Sequence, residues 1–188
     1  MSPRISVITA ALPSRLALLH SCISSVTNQT YEPVEHLVGV DHQRAGTGSV
    51  KSRLVLAAQG DWIATLDDDD VLLPNHLATL ASYATDADIV YSYCRVEGRD
   101  GWNPNRPFDA EALRVGNFIP ATALIRRSLL VQVGGWRDSA DCPHGWEDWD
   151  LWLRCLDAGA RFVCAPSVTW VYRFHGRNKT FLGERMAA

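Results

Sequence analysis

Four consecutive aspartates, Asp67 to Asp70, follow directly on the apolar segment Trp62-Ile63-Ala64-Thr65-Leu66. Adjacent carboxylates repel one another, and at about 4–6 Å near a protein surface each like pair costs on the order of 1 kcal/mol or more. A fold that runs a buried strand straight into such a sequence must offset that repulsion. Two readings are open on the residues alone. In the first, the run is a solvated acidic turn, with one aspartate capping the helix expected after Pro74. In the second it holds a cation. Side chains two apart in an extended segment share a face. Asp67 and Asp69 would then grip one hard divalent ion, Mn²⁺ or Mg²⁺, through oxygen. A plain turn after a strand more usually carries Gly or Asn, which favours the cation.

The rest of the composition narrows the class. The 188 residues carry 18 basic and 21 acidic side chains, for a net charge of −3. Seven of the acids sit in two clusters, Asp67–Asp70 and Glu147/Asp148/Asp150, so the remaining chain is mildly basic. This near balance argues against nucleic acid bound through a broad basic face. The length suits one domain with a real core. The N-terminal MSPRISVITAALPSR lacks the pattern of a signal peptide, and no apolar run reaches the length of a membrane span. The five cysteines include no CxxC pair and read as reduced thiols. These features predict a cytoplasmic protein with no membrane span. They leave its oligomeric state open.

Hydrophobic spacing predicts an alternating α/β chain. Residues 4–10 read as a buried strand. Pro13 and Ser14 open a helix whose Leu16, Leu19, Ile23 and Val26 share one face. A second strand covers 35–41 and ends in Asp41. A helix over 51–59 is expected to stop at Gly60. A third strand covers 61–66, and a helix begins at Pro74. Strands are expected over 88–96, 120–126, 161–164 and 168–174. Ser128 is expected to cap a short helix that stops at Gly134-Gly135, and a further helix covers 147–158, with Gly159 just past its end. The first half alternates strand and helix three times, the pattern of a parallel sheet with helices on both faces. Ligands of such sheets bind beyond the carboxyl ends of the strands, where Leu12-Pro13-Ser14-Arg15, Asp41 and the aspartate run converge.

Several stretches carry a more specific likeness. They are Val7-Ile8-Thr9-Ala10, Asn28-Gln29-Thr30-Tyr31-Glu32-Pro33 and Val50-Lys51-Ser52-Arg53-Leu54. To these add Gly60 to Asp70 with Leu73-Pro74, ALIRRSLLVQVGGW at 123–136 and GWEDWDLWLR at 145–154. Together they resemble the inverting glycosyltransferases of family 2. The resemblance implies the GT-A fold: one Rossmann-like domain with a mostly parallel central sheet flanked by helices. It departs from the family pattern after the second strand, where Asp41 is followed by His42-Gln43-Arg44 in place of Asp-Gly-Ser.

The resemblance also implies roles. The chain would transfer a sugar from a nucleotide-diphosphate sugar, UDP-sugar by preference, to a hydroxyl of a glycan, lipid-linked or protein acceptor. Asp67 and Asp69, with His175 as a third ligand, would hold the metal. Thr9, Ala11, Arg15, Asp41, Lys51, Arg53 and Asp68 would bind the donor. Asp148 would be the general base, because inversion needs a carboxylate to take the acceptor hydroxyl's proton as its oxygen attacks. Trp146, Glu147 and His144 would touch the acceptor. Residues 1–97 would form the donor and metal half, and 98–188 the acceptor half, with the basic tail after Arg173 placed to fold over the diphosphate. Plainer readings stand beside these. Glu147 and Asp148 suit the first turn of any helix, and Trp146 and Trp149 suit a core. Two rival classes remain: a sugar-phosphate nucleotidyltransferase, which would carry a Gly-rich loop after strand one, and a non-catalytic nucleotide-sugar-binding module.

Overall fold

The computed structural model describes residues 2–143, 146–175 and 178. Among the described residues seven strands form one sheet: β1 (Ile5–Ala11), β2 (Glu35–Val40), β3 (Trp62–Thr65), β4 (Val71–Leu72), β5 (Ile89–Glu97), β6 (Ala123–Arg126) and β7 (Phe162–Arg173). Their spatial order is β2-β1-β3-β6-β5-β7-β4. β1 pairs in parallel with both β2 and β3, as the alternating first half implies. β6 then enters between β3 and β5, antiparallel to both. β5 and β7 run parallel, and the two-residue β4 lies antiparallel on β7. The sheet is therefore mixed where a mostly parallel one is expected: β1–β2, β1–β3 and β5–β7 are parallel, and β3–β6, β5–β6 and β4–β7 antiparallel.

Six α-helices among the described residues cover the faces: α1 (Leu16–Thr27), α2 (Thr47–Ala57), α3 (His76–Ser82), α4 (Ala110–Val115), α5 (Arg127–Gln132) and α6 (Glu147–Asp157). Strand alternation divides the core between them. Ile5 and Val7 of β1, Ala64 of β3, Val90 of β5 and Leu124 of β6 pack with Leu19, Cys22 and Val26 of α1 and Leu77 and Leu80 of α3. Their neighbours Ile8, Ile63, Ile89 and Ile125 pack on the opposite face with Val55 of α2, Leu129 and Leu130 of α5, and Leu151, Trp152 and Cys155 of α6. Both faces of the central strands are apolar because both are covered.

The boundaries show where local patterning was overruled. α2 starts four residues earlier than its apolar spacing suggests and closes at Ala58, which is extended. Gly60 does not end it. A Cβ there would meet the backbone nitrogen of Ser6 at 2.5 Å, so this glycine lets the chain pass close to β1. Arg126, not Ser128, occupies the N-cap of α5, and no side chain caps it. The expected strands at 161–164 and 168–174 are one strand, β7. It skips register against β5 between Ser92 and Tyr93, where Ala165 and Val168 are successive partners. Pro166 lies in the skipped pair and has no N–H to give the ladder.

His76 reads as an ordinary surface or helix position in the sequence. It is the first residue of α3 and is fully buried. Its Nδ1 lies 2.7 Å from Thr169 Oγ1, which in turn lies 2.6 Å from Ser92 Oγ. Burial disfavours the charged imidazole and pulls its pKa down to about 3. The unfolded chain takes up this proton near pH 6.5, whereas the folded protein does so only near 3, so stability falls with pH between those limits. Relative to His76→Asn, the parent should lose up to about 1.4 kcal/mol more per pH unit across that window. Urea unfolding of both proteins at a series of pH values measures it; equal slopes would contradict the buried neutral histidine.

Candidate functional site

The aspartate run leaves β3 at the carboxyl edge of the sheet and is folded back under neighbouring loops. Asp68, Asp69 and Asp70 are buried, and Asp67 is half-buried at the cavity wall. The loop after β1 forms the first clamp. Leu12 N donates to Asp68 Oδ2 at 2.8 Å. Pro13–Arg15 turn as a 3₁₀ helix, which brings Arg15 Nη1 to 3.2 Å from Asp68 Oδ1 and 2.7 Å from Asp69 Oδ2. Arg15 thus serves the acid run directly. From the far end of the sheet, Arg173 N donates to Asp70 Oδ1 at 3.0 Å. His175 Nε2 lies 3.0 Å from Asp69 Oδ2.

Lys51 is the pivot of the site. It projects from α2 and is buried, although the sequence places it near a base or phosphate. Its Nζ lies 3.3 Å from Asp67 Oδ1 and 3.3 Å from Asp148 Oδ1, so it ties the aspartate run to the start of α6. Its burial would lower its pKa, but the facing carboxylates outweigh that and hold the ammonium charged. Trp136 Nε1 donates to the same Asp148 oxygen at 2.8 Å. Asp148 Oδ2 has no partner among the described residues. Glu147 is buried beside it. One of its oxygens accepts from Thr47 Oγ1 at 2.9 Å, the other from Ser139 Oγ at 2.7 Å. That side chain joins α2, the 139–141 turn and α6.

Burial leaves the acid run under-compensated. It raises the Asp67 carboxyl to about 6 against the pull of Lys51, with the other aspartates adding to the rise. Asp70 is pushed well above its ordinary range by burial, then by Asp69 and Asp67. Asp67, Asp69 and Asp70 each bring one oxygen within 4.8 Å of the others. Such an all-oxygen set, short of positive charge, fits a hard divalent ion. Asp70 therefore joins Asp67 and Asp69 instead of only capping a helix. His175 reaches the cluster through Asp69.

These groups line one cavity of about 330 Å³. Ala10, Leu12, Arg15, Thr47 and Lys51 line it, together with Asp67 to Asp70 and Trp146 to Asp148. Not every sequence-predicted residue reaches it. Thr9 and Ala11 alternate with Ala10 and point into the protein: Thr9 Oγ1 lies 3.0 Å from His36 Nε2, and Ala11 is in the core. Asp41 is buried, and its two oxygens accept from Ala45 N and Gly46 N at 2.8 and 2.9 Å, shaping its own loop. Arg53 is exposed and shares a separate shallow groove with Asp41 and His42. Trp149 does not line the cavity; its indole donates to Leu113 O at 2.8 Å. His144 and the tail residues Arg177, Lys179 and Arg185 lie outside the described residues. Arg173 itself turns away, donating to Ser21 Oγ at 2.7 Å.

A family model described as glycosyltransferase like family 2 matches residues 47–188, well over half of the chain. The chain belongs to glycosyltransferase family 2. Among its curated relatives is an uncharacterized glycosyltransferase of Bacillus subtilis (strain 168), YwdF. It is 25% identical over 201 residues, covering 89% of this chain and 74% of that protein. The O-antigen biosynthesis protein RfbC of Myxococcus xanthus is also 25% identical, over 189 residues, which is 83% of this chain and 15% of RfbC. Two solved structures establish the GT-A fold. S. aureus TarS 1–349 in complex with UDP-GlcNAc superimposes with a TM-score of 0.73 at 12% identity, over 92% of this chain and 59% of that one. The mannosyltransferase PcManGT from Pyrobaculum calidifontis, in complex with GDP-Man and Mn²⁺, gives 0.70 at 17% identity, over 100% of this chain and 61% of its own. The family 2 chain thus spans about three fifths of these two solved chains.

Sequence reasoning missed two kinds of residue in this family 2 site. Trp136, Thr47 and Ser139 act through hydrogen bonds to residues 8 to 100 positions away, which no local spacing announces. The second is the aromatic part of the cavity lining, where Tyr93, Trp102, Phe118 and Tyr172 come from four separate segments. The Gly and Pro content of 98–108 reads as a long loop, but nothing local shows how it is held. Asn105 accepts from Cys94 N and donates to Cys94 O, both at 2.8 Å, and so pairs with β5 as a strand residue would.

If Lys51 holds two acidic segments together, its loss should cost stability and not merely activity. Lys51→Met should lower the unfolding free energy by about 3 kcal/mol in chelator, the low end for breaking a buried pair because Asp67 and Asp148 are partly open. Asp67→Asn in the same background should recover part of it. Urea denaturation checks both.

Proposed function

We propose that this chain is a divalent-metal-dependent, inverting glycosyltransferase that takes its sugar from a nucleotide-diphosphate donor. The observation that carries the reading is the convergence of two acidic groups with different surroundings on one cavity. Asp67, Asp69 and Asp70 offer three clustered oxygens. Asp148 stands across Lys51 from them with one oxygen unpartnered among the described residues. The solved neighbours that bind UDP-GlcNAc and GDP-Man support a nucleotide sugar as the donor class. UDP-sugar is the preferred donor by family resemblance.

In this mechanism Asp67, Asp69 and Asp70 would hold Mn²⁺ or Mg²⁺, with His175 beside Asp69 as a further ligand. When bound, the ion supplies positive charge against the leaving diphosphate. Arg15 keeps Asp68 and Asp69 in place. Asp148 takes the acceptor hydroxyl's proton on Oδ2 while Trp136 and Lys51 fix Oδ1. The attacking oxygen displaces the nucleotide diphosphate in one in-line step, which inverts the anomeric carbon. Trp146, on the cavity wall next to Asp148, is positioned to flank the acceptor. Residues 1–97 supply the donor and metal half, except that Asp148 and Trp136 come from the acceptor half and close the site over Lys51.

Two outcomes test this. Asp148→Asn should lower transfer by at least about 10²-fold while nucleotide diphosphate still raises the melting temperature in the presence of Mn²⁺. Transfer at the parent rate would remove Asp148 from the role of base. Chelation should abolish metal-dependent release of nucleotide diphosphate from the donor, and Mn²⁺ or Mg²⁺ should restore it. Undiminished release in chelator, measured by a coupled phosphate assay, would overturn the metal assignment.

A further inference from the structure

Among the described residues the cavity lining carries six carboxylates, Asp67 to Asp70, Glu147 and Asp148. The parts of the lining that come from β5, the 102–106 loop, residues 117–122 and β7 contribute no acid among the described residues. Three cations line the cavity among those residues: Arg15, Lys51 and Arg106. The first two are paired with aspartates. Arg106 has no carboxylate partner among the described residues.

Arg106 is nevertheless held in place. Its carbonyl accepts from Tyr91 Oη at 3.2 Å and from Cys164 Sγ at 3.7 Å, while Asn105 ties the preceding residue to β5. Its guanidinium carbon lies 4.3 Å from the centroid of the Phe118 ring. Stacking of this kind restrains the planar fork and leaves its edge N–H groups to bind an oxyanion in two places. Nearby, Trp102 meets Tyr172 edge to face at 5.4 Å, giving a rigid aromatic surface on the same wall. Aromatic faces with one fixed cation and no acid are the chemistry of a sugar or polyol carrying negative charge.

We propose that the Arg106–Phe118 wall is the acceptor subsite and that it selects a carbohydrate acceptor bearing a carboxylate or a phosphate. This assignment rests on the transferase reading for the word acceptor, but the binding preference is independent of turnover. The six carboxylates would repel such a ligand, so its charge has to be met by the one lining cation among the described residues that none of them pairs, Arg106.

The test uses the full chain and three probes: methyl β-D-glucopyranoside, methyl β-D-glucopyranosiduronate and glucose 6-phosphate. Their affinities are measured by NMR titration against the parent and Arg106→Gln, an exposed position whose main-chain contacts survive the substitution. At least one charged probe should bind about tenfold more tightly than the neutral one, and which of the two does so separates carboxylate from phosphate. Arg106→Gln should erase that preference without changing the affinity for the neutral probe. Equal affinity for all three probes, or a preference retained by Arg106→Gln, would overturn the assignment. Transfer to neutral sugars alone would overturn it while leaving the transferase reading intact. A charge preference that depends on Arg106, found with no transfer to any acceptor, would uphold the subsite and count against the catalytic reading.

Discussion

Everything at this site depends on how four adjacent carboxylates are tolerated beneath a protein surface. The chain answers with a separate device for each part of the run. Asp68 receives a backbone N–H and shares Arg15 Nη1 with Asp69, Asp69 also meets the His175 ring, Asp70 receives a backbone N–H from Arg173, and Asp67 the buried Lys51. The donors come from the loop after β1, from α2 and from the end of β7. The compensation is still incomplete, since Asp67 and Asp70 hold their protons more tightly than isolated aspartates do. A site built this way keeps an appetite for positive charge.

The sheet topology follows the same need. β1 and β3 lie side by side in parallel, so the loop after one meets the run that ends the other. β7 returns along β5 in parallel, which carries Arg173 and His175 to that carboxyl edge. The antiparallel β6 fills the space between β3 and β5 and turns straight into α5, after which the chain reaches Trp136. Two apolar layers, one on each face, keep these strands in register. The lining that carries no acid includes irregular segments, close to where β7 skips register and where Asn105 takes the place of a strand partner. Rigid strands carry the charged chemistry, and a pinned loop shapes what faces it.

Much of this was legible before any coordinates. The three strand–helix alternations, the two-sided core and the expectation that Asp67, Asp69, Lys51 and Asp148 share one site follow from spacing, composition and family likeness, and all four line one cavity. The donor-binding expectations were less even. Thr9 and Ala11 were expected at the site because they end a strand that points there, but strand alternation sends their neighbours Ala10 and Leu12 to the cavity. Asp41 and Arg53 do meet, yet on a groove of their own. Both cases turn on the direction of a side chain, which a one-residue change of phase reverses.

The sequence by itself determined the alternating α/β frame and the concentration of acid at one strand end, because periodicity and charge runs are local properties of the chain. It also marked the second acidic group at the start of α6 as a candidate for proton transfer. The fold, and not the chain's local pattern, settled that one lysine bridges the two groups, that Trp136 holds the second in place, and that Asp70 brings an oxygen beside those of Asp67 and Asp69. It also settled that Arg106 lines the same cavity without a carboxylate partner among the described residues. Those facts are distances between side chains far apart in the chain. They are set by which strands pair and which helices cover them, and no local pattern encodes them.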